Sequence, residues 1–465
     1  PAARGGEGRP RPCQSPGVPP PPRMAPRTAK KVRNMGWVDP SACSALCALI
    51  LDDRKGGGGI SAQWGKPAAG RRRALPPSLY AEHVAPFLRF DEPQPNMLYA
   101  IGGRNQRHGS LSTVEMFDTW HGQWVPCPPM PTRRAGSAAA LLPRGRVLVV
   151  GGYNERGIVD GLLATCDVYD PYAQRWTEGG AAPLSRARWG HGCAALHGRV
   201  YAVGGCSLRQ GSMEPREAFM ETLRSCEVYT PEEDRWRPCA PLQIARSGSR
   251  VVALENQLLV AVGGCDDVFG RATTQPTVEL YDPAAECWTV LSSRLRHPRT
   301  TAGVAAIGDS RLVVIGGAPS LSSAEIYCVA LPKGTGSARG GRGQPREEQR
   351  PEEAGACSAA SEAPSHVADM AEGRMGCQAA TVQLPEAASE YPLSRWPCVV
   401  LVGGERCSEG GGEDWAHVQQ FAGVPVYDVA KKAWRPEECA VMPPLPSPRT
   451  AVALCVGVGR VAVPK

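Results

Sequence analysis

The sequence predicts an all-β fold, specifically a six-bladed β-propeller, because a Gly-Gly doublet repeatedly ends a short apolar run. Such doublets stand at 102–103, 151–152, 204–205, 263–264, 316–317 and 403–404. The first five are 49, 53, 59 and 53 residues apart, which is the spacing of a structural repeat. A repeat of this length with four strand-like segments is typical of a propeller blade.

A second recurring feature is an acidic residue two positions before an aromatic one, as in Glu227 and Tyr229. In five repeats a Trp follows the aromatic residue at an interval of seven. These pairs are Phe117/Trp124, Tyr169/Trp176, Tyr229/Trp236, Tyr281/Trp288 and Tyr427/Trp434. One strand, a short turn and the start of the next strand place both rings on the same side of a twisted sheet. We therefore expect the rings to fill the gap to the neighbouring blade.

The repeats also predict domain boundaries. Residues 1–95 are rich in Pro, Gly and Arg and are expected to be a mostly disordered tail. Residues 96–465 are expected to form the propeller, and the Gly/Arg/Glu-rich stretch 333–373 is predicted to be a low-complexity insertion. The blades are placed at 96–132 plus 449–463, 133–182, 186–241, 246–295, 299–332 and 374–440.

The two ends of the repeat region are expected to complete one blade together. The first repeat begins at its second strand, and residues 449–456 form a first strand without the rest of a repeat. Pairing these strands would close the ring and leave no exposed sheet edge. Residues 460–463 resemble the start of another second strand, so a truncated seventh blade stays open as an alternative.

Charge and cysteine usage restrict the function classes. The net charge is +7, but residues 1–95 hold 15 Lys or Arg against 7 Asp or Glu, so the repeat region is close to neutral. This distribution does not favour nucleic-acid binding. The early apolar stretch 43–51 is too short to span a bilayer. The 18 cysteines include no C-x-x-C pair and no Asn-x-Ser/Thr triplet occurs, so a reducing, cytoplasmic location is predicted.

The doublets, the acidic-aromatic motif and the spaced Trp together resemble the kelch repeat, from residue 96 onward apart from the insertion. The resemblance implies a protein-interaction role. Kelch propellers often follow a BTB or F-box domain and serve as substrate receptors of cullin-type ubiquitin ligases, and others bind actin. Neither a BTB nor an F-box domain is visible in residues 1–95.

Kelch-type propellers also occur in copper oxidases and sugar isomerases, so an enzyme is the alternative. The eight His are scattered, and the recurring carboxylates stand one per blade, whereas paired catalytic carboxylates must lie close together. We therefore predict a non-enzymatic protein without a cofactor. Among the thiols, Cys239 beside Arg237 and Cys407 beside Arg406 are the candidates for a reactive cysteine.

An arginine opens each run of small apolar residues and is the candidate binding position. These residues are Arg134, Arg188, Arg246, Arg299, Arg374 and Arg449. One arginine per blade would form a ring at the channel mouth, and guanidinium groups suit carboxylates and phosphates. In kelch substrate receptors, arginines at this position resemble those that grip acidic peptides. We therefore expect an acidic or phosphorylated partner segment, with Trp189 and His191 as a stacking anchor.

Structural alternatives stay open for both sets of residues. The arginines could instead cap carbonyl groups or pair with acidic residues of adjacent blades, and Trp189 and His191 could fill a packing gap. The binding hypothesis expects that charge reversal at Arg134 and Arg188 removes partner capture and leaves the melting temperature nearly unchanged.

Overall fold

The described residues form six four-stranded antiparallel sheets, and each of these sheets is one blade of a propeller. The computed structural model describes residues 94–119, 121–209, 220–266, 273–330, 364–385, 395–407, 418–436 and 442–459. The innermost strand of every blade contacts the innermost strands of both neighbours, so the blades form a closed ring. The predicted fold class, an all-β six-bladed propeller, is confirmed.

The first three blades in chain order share one strand pattern, with extra elements after the second strand. The first blade contains β1 (Gln94–Ile101), β4 (Val114–Asp118) and β5 (Gln123–Cys127), with a hairpin of β2 (Arg104–Asn105) and β3 (Gly109–Ser110). The second contains β6 (Ala138–Leu141), a 3-10 turn (Pro143–Gly145), β7 (Val147–Val150), helix α1 (Gly157–Asp160), β8 (Cys166–Asp170) and β9 (Arg175–Ala181). The third contains β10 (Gly192–Leu196), β11 (Arg199–Val203), the hairpin β12 (Cys206–Leu208) and β13 (Met220–Thr222), β14 (Cys226–Thr230) and β15 (Arg235–Cys239).

The remaining blades repeat this order. The fourth contains β16 (Arg250–Leu254), β17 (Leu258–Val262), β18 (Thr277–Asp282) and β19 (Cys287–Arg294). The fifth contains β20 (Gly303–Gly308), β21 (Arg311–Ile315), β22 (Ala324–Cys328) and β23 (Ser365–Val367). The sixth contains β24 (Gln378–Pro385), β25 (Arg395–Val402), the hairpin β26 (Glu405–Cys407) and β27 (Val418–Gln420), β28 (Val426–Asp428) and β29 (Ala433–Trp434). The last strand is β30 (Ala453–Gly459).

The ring closes through a sheet built from both ends of the repeat region. Strand β30 pairs antiparallel with β1, from Ile101 opposite Ala453 to Met97 opposite Gly457. It therefore supplies the innermost strand that the first blade lacks, and the expected closure is confirmed. Because β1 gains a partner on each side, neither strand presents an open edge at this joint.

The Trp at an interval of seven lies directly opposite its aromatic partner on the neighbouring strand. Tyr169 faces Trp176, and their ring centroids are 5.0 Å apart. The indole nitrogen of Trp176 also donates a hydrogen bond of 2.8 Å to the carbonyl oxygen of Pro128 in the preceding blade. Trp124, Trp236 and Trp434 donate to backbone carbonyls in the same way. The predicted Trp spacing thus connects blades as well as strands.

The hydrophobic core lies between blades and not in one central mass. Among the described residues, six clusters of buried side chains occur, one for each pair of neighbouring blades. The cluster between the first and sixth blades contains Leu98 and Phe117 on one side and Val400 and Val426 on the other. This cluster stabilises the same boundary at which the chain ends meet.

The fifth blade corrects one predicted boundary. Its outer strand β23 pairs with β22 through Ala324 opposite Val367. Strand β23 lies inside the stretch 333–373 that the sequence assigned wholly to an insertion. A three-residue strand without the Trp marker carries no repeat signal, so the sequence pattern ended this blade at residue 332.

Several sequence predictions concern residues outside the described ranges. These are the tail 1–93, most of the insertion, and residues 460–463 with the alternative of a seventh blade. Within the described part of the chain, no helix has the length and hydrophobicity needed to cross a membrane.

Candidate functional site

The loops that follow the Gly-Gly doublets and the segments that precede the innermost strands share one face of the propeller. We call it the doublet face; it includes residues 104–113, 153–165, 206–225 and 405–424 as far as they are described. Each of the six repeat arginines stands four residues before an innermost strand at this end. Each arginine nevertheless has at most 1% of its surface exposed. The doublet face is therefore built above these side chains and does not display them.

Arg134 shows how the buried guanidinium is satisfied. Its Nε and Nη2 donate to Oδ2 of Asp167 at 3.0 and 2.9 Å. Its Nη1 donates to the carbonyl oxygens of Gly151 and Thr165 at 2.9 and 2.8 Å, and Nη2 also donates to Oγ1 of Thr165 at 2.9 Å. All five donors of the fork are thus used within one blade. The arginine joins the doublet to the strand after the loop.

The same pairing recurs around the ring with the acidic residue of the acidic-aromatic motif. The ion pairs are Arg188–Glu227 at 2.7 Å, Arg246–Glu279 at 2.9 Å, Arg299–Glu325 at 2.7 Å and Arg449–Glu115 at 2.7 Å. Burial lowers the pKa of the Arg188 guanidinium, and the carboxylate of Glu227 opposes that shift. Each pair joins strands of the same blade, whereas the sequence alternative had placed the carboxylate in an adjacent blade.

The sixth blade replaces this pair by a different one. Pro425 occupies the position of the missing acidic residue, so Arg374 instead contacts Glu372 at 2.9 Å. The guanidinium of Arg374 also stacks over the ring of Phe421, 4.2 Å from its centroid. The arginine is thus retained even where the motif has lost its carboxylate.

The sequence predicted that the six arginines line the channel mouth, and the structure buries them instead. The guanidinium groups of Arg134, Arg188, Arg246, Arg299, Arg374 and Arg449 are buried and lie against carboxylates and backbone carbonyls. Their positive charge is neutralised inside the blades, so they do not create a positive well for an acidic peptide. Breaking a buried ion pair strands a charge at a cost of about 3–5 kcal/mol. Charge reversal at Arg134 and Arg188 is therefore expected to unfold the protein.

The arginine backbone connects neighbouring blades. The carbonyl oxygen of each repeat arginine accepts a hydrogen bond of 2.7–2.9 Å from the second doublet glycine of the preceding blade. The arginine carbonyl also leaves no room for a side chain on the first doublet glycine. A Cβ on Gly151 would stand 2.6 Å from the carbonyl oxygen of Arg188. Its φ of +58° is also unfavourable for other residues. Doublet and arginine thus form one structural unit across each boundary.

A circuit of six backbone hydrogen bonds surrounds the propeller axis two residues after each arginine. In this axial ring each amide donates to the carbonyl of the equivalent residue in the preceding blade, at 2.8–3.1 Å. All six residues have positive φ. The ring consists of Gly136, Gly190, Gly248, Thr301, Gly376 and Ala451. Sequence analysis missed this ring, although a glycine at arginine plus two in four repeats was a visible signal.

Trp189 and His191 lie in different environments. His191 is 2% exposed, and neither of its ring nitrogens has a hydrogen-bond partner among the described residues. Burial, with a smaller contribution from Arg188, lowers the pKa of His191 to about 3, so the ring is neutral at physiological pH. Trp189 is half-buried and packs edge-on against Tyr153, with ring centroids 5.8 Å apart. The predicted stacking anchor is thus divided: Trp189 borders the doublet face, and His191 is interior.

Exposed arginines on the doublet face come from positions that the repeat pattern does not mark. Arg133 directly precedes Arg134 but is exposed, and its Nη1 donates to the carbonyl of Ser110 at 3.4 Å. The hydroxyl of Ser110 donates to the carbonyl of Tyr153 at 3.3 Å. These contacts connect Arg133 with the β2–β3 hairpin and with Tyr153, and we call the residues around them the Arg133 patch. It consists of Arg107, His108, Arg133, Tyr153 and Trp189.

The recurring carboxylates of the first five blades pair with the repeat arginines, one in each of these blades. Among the residues that the structure describes, no three His, Cys, Asp or Glu side chains converge as they would around a metal ion.

Comparison with known proteins agrees with the repeat architecture. A family model of the KLHDC2/KLHL20/DRC7 Kelch-repeats domain matches residues 93–317. Kelch-like protein 34 of Homo sapiens is 31% identical over 234 residues, which are 48% of this chain and 33% of that protein. Kelch-like protein 36 of Bos taurus is 29% identical over 211 residues, 45% of this chain and 32% of that protein. Alpha-scruin of Limulus polyphemus is 28% identical over 192 residues, 40% of this chain and 20% of that protein.

The six blades, the doublets and these matches define the class of protein. The described part of the chain is a six-bladed β-propeller, and residues 93–317 are similar to a kelch-repeat domain. The chain spans about a third of the length of the kelch-like relatives that it matches.

Proposed function

We propose that the propeller is a protein-interaction module that binds an acidic or phosphorylated segment of a partner on its doublet face. The observation that supports this function most directly is the Arg133 patch. It combines two exposed arginines with an aromatic pair next to the propeller axis. An exposed guanidinium keeps donors for a carboxylate or phosphate, and a half-buried Trp can anchor an apolar side chain.

The patch replaces the repeat arginines as the source of charge. Arg134 donates all five of its hydrogen bonds within its own blade, whereas Arg133 donates one long hydrogen bond to a backbone carbonyl. Arg107 is exposed in the turn of the β2–β3 hairpin. Arg104, at the base of the same hairpin, is paired with Glu405 at 2.8 Å and is not included. The basic character thus comes from the loops of the first and second blades.

The identity of the partner stays a proposal with two candidates. The kelch resemblance implies a substrate receptor of a cullin-type ubiquitin ligase, in which the patch would hold the substrate. It also implies an actin-binding scaffold, in which the patch would meet an acidic surface of the filament. Co-purification of a cullin and co-sedimentation with filamentous actin separate the two.

Affinity capture by charge-reversed variants tests the binding surface. In R107E/R133E the patch becomes acidic, so we expect the main partner recovered by the wild-type chain to be lost. The matched control is R175E, because Arg175 is exposed at the start of β9 on the opposite face. Both variants are expected to melt like the wild type, since all three arginines are exposed. Equal capture by R107E/R133E and the wild type would exclude the Arg133 patch.

A further inference from the structure

Two cysteines face each other across neighbouring strands of the third blade. Cys226 is the first residue of β14, Cys239 is the last residue of β15, and the two are direct cross-strand partners. Both are unbonded thiols. Facing residues on antiparallel strands have Cα atoms about 4.5–5.5 Å apart, within the range that a disulfide spans.

The arrangement distinguishes the two thiols chemically. The hydrogen bond from Cys239, with a smaller contribution from the positive charge of Arg188, lowers the pKa of Cys226 despite its burial. The same hydrogen bond, together with burial, raises the pKa of Cys239. Cys226 is thus the thiol that forms a thiolate more readily, and the thiolate is the nucleophilic form. Cys239 is half-buried on the outermost strand of the blade, so a small oxidant can approach the pair from that side.

We propose that Cys226 and Cys239 form a reversible disulfide when the protein meets a hydroperoxide. The Cys226 thiolate attacks the terminal peroxide oxygen, the O–O bond breaks, and Cys226 becomes a sulfenic acid while water or an alcohol leaves. The Cys239 sulfur then attacks the Cys226 sulfur, and the S–O bond breaks as a second water leaves with the Cys239 proton. Two thiols are oxidised by two electrons, and one hydroperoxide is reduced. A dithiol reductant reverses the step by thiol–disulfide exchange.

The disulfide would lie at the doublet-face end of the blade, next to groups that hold the loop 206–225. Ser225 precedes Cys226, and its carbonyl accepts from Nη1 of Arg188 at 2.9 Å and from the amide of Gly204 at 3.1 Å. Glu227 follows Cys226 and forms the ion pair with Arg188. A disulfide here would fix the two outer strands at the end of this loop, whose first residue, Cys206, pairs with Trp189.

Neighbouring blades provide matched controls, because they carry one cysteine where the third blade carries two. At the equivalent cross-strand position the first blade has Val114 opposite Cys127, and the second has Cys166 opposite Ala181. These thiols have similar surroundings but no facing sulfur.

Peptide mapping of the full chain tests the proposal. Trypsin cleaves after Arg224, Arg235 and Arg246, whereas the Arg237–Pro238 bond resists, so fragments 225–235 and 236–246 carry one of the two cysteines each. After graded hydrogen peroxide and blocking of free thiols, we expect these fragments to appear linked, two hydrogens lighter than their sum. Dithiothreitol is expected to release them. The C166S variant is expected to keep the link.

The C239S variant separates the two chemical steps. It is expected to lose the link and to leave Cys226 as a sulfenic acid that a 1,3-diketone probe traps. If C239S does not fold, the wild-type map still decides. Failure of the fragments to link while the protein stays folded, or linkage of either fragment to other cysteines in comparable yield, would overturn the proposal.

Discussion

The amide of Gly152 and the carbonyl oxygen of Arg188 form a hydrogen bond of 2.9 Å across the boundary between the second and third blades. Arg188 meanwhile donates from Nη1 to the carbonyl of Gly204 in its own blade at 2.9 Å. One residue thus contacts two consecutive doublets, through its backbone on one side and its side chain on the other. The ring is held together at the position where a binding surface was expected.

The first doublet glycine is predicted to be intolerant of any side chain. G151A places a methyl group 2.6 Å from the carbonyl of Arg188 and keeps a φ of +58°. We expect a loss of about 3 kcal/mol in the free energy of unfolding, from backbone strain and overpacking combined. Urea denaturation measures it.

Gly179 provides the control for the doublet, because it has nearly the same φ of +56° and no atom within 4 Å of an added Cβ. G179A should therefore show the backbone strain alone, about 1 kcal/mol. If G151A cost no more than G179A, close approach of the arginine carbonyl would not be the reason for the doublet.

The axial ring offers a stabilising substitution. Ala451 takes part in the ring with a φ of +52°, where glycine is favoured. A451G should keep both hydrogen bonds and relieve the strain, raising the free energy of unfolding by up to about 1 kcal/mol. A284G, in the exposed turn between β18 and β19, should lower it by about 0.5 kcal/mol through chain entropy alone. Destabilisation of A451G as large as that of A284G would contradict the strain argument.

His191 predicts a specific pH dependence of stability. Its pKa is about 3 in the folded protein because burial disfavours the charged ring, whereas the unfolded chain has an ordinary value near 6.5. Between these values the unfolded state binds one more proton, so stability falls as the pH is lowered below about 6.5, by about 1.4 kcal/mol per pH unit from this group. We expect the free energy of unfolding, measured by urea denaturation between pH 7 and pH 5, to depend less steeply on pH in H191L than in the wild type. Identical slopes would mean that folding does not lower the pKa of His191.

The sequence predicted the architecture because its markers are the residues that the fold cannot exchange. Gly151 must be a glycine because the Arg188 carbonyl approaches it closely, and Tyr169 and Trp176 pack together at the blade boundary. These markers therefore recur at fixed intervals. The short strand β23 has no such requirement, because a three-residue edge strand pairs through its backbone. Its position could not be predicted from side chains.

The error over the arginines has a physical reason. Arg134 and Asp167 both belong to recurring motifs, but they are 33 residues apart, and sequence order does not show that they meet. The contact could have been predicted from the fact that each regular repeat carries one recurring arginine and one recurring acidic residue. The contact between Cys226 and Cys239 was also available: each lies three residues outside the facing pair Tyr229 and Trp236, so the register places them together.

Comparison of R134A with R133A in urea denaturation tests the central claim most directly. The two arginines are adjacent, but Arg134 is buried against Asp167 and Arg133 is exposed on the doublet face. R134A leaves the Asp167 carboxylate buried without its cation and should lose about 3–5 kcal/mol, whereas R133A should change the free energy of unfolding by less than about 0.5 kcal/mol. Unfolding of both variants at the same urea concentration as the wild type would contradict the structural role of the arginine ring.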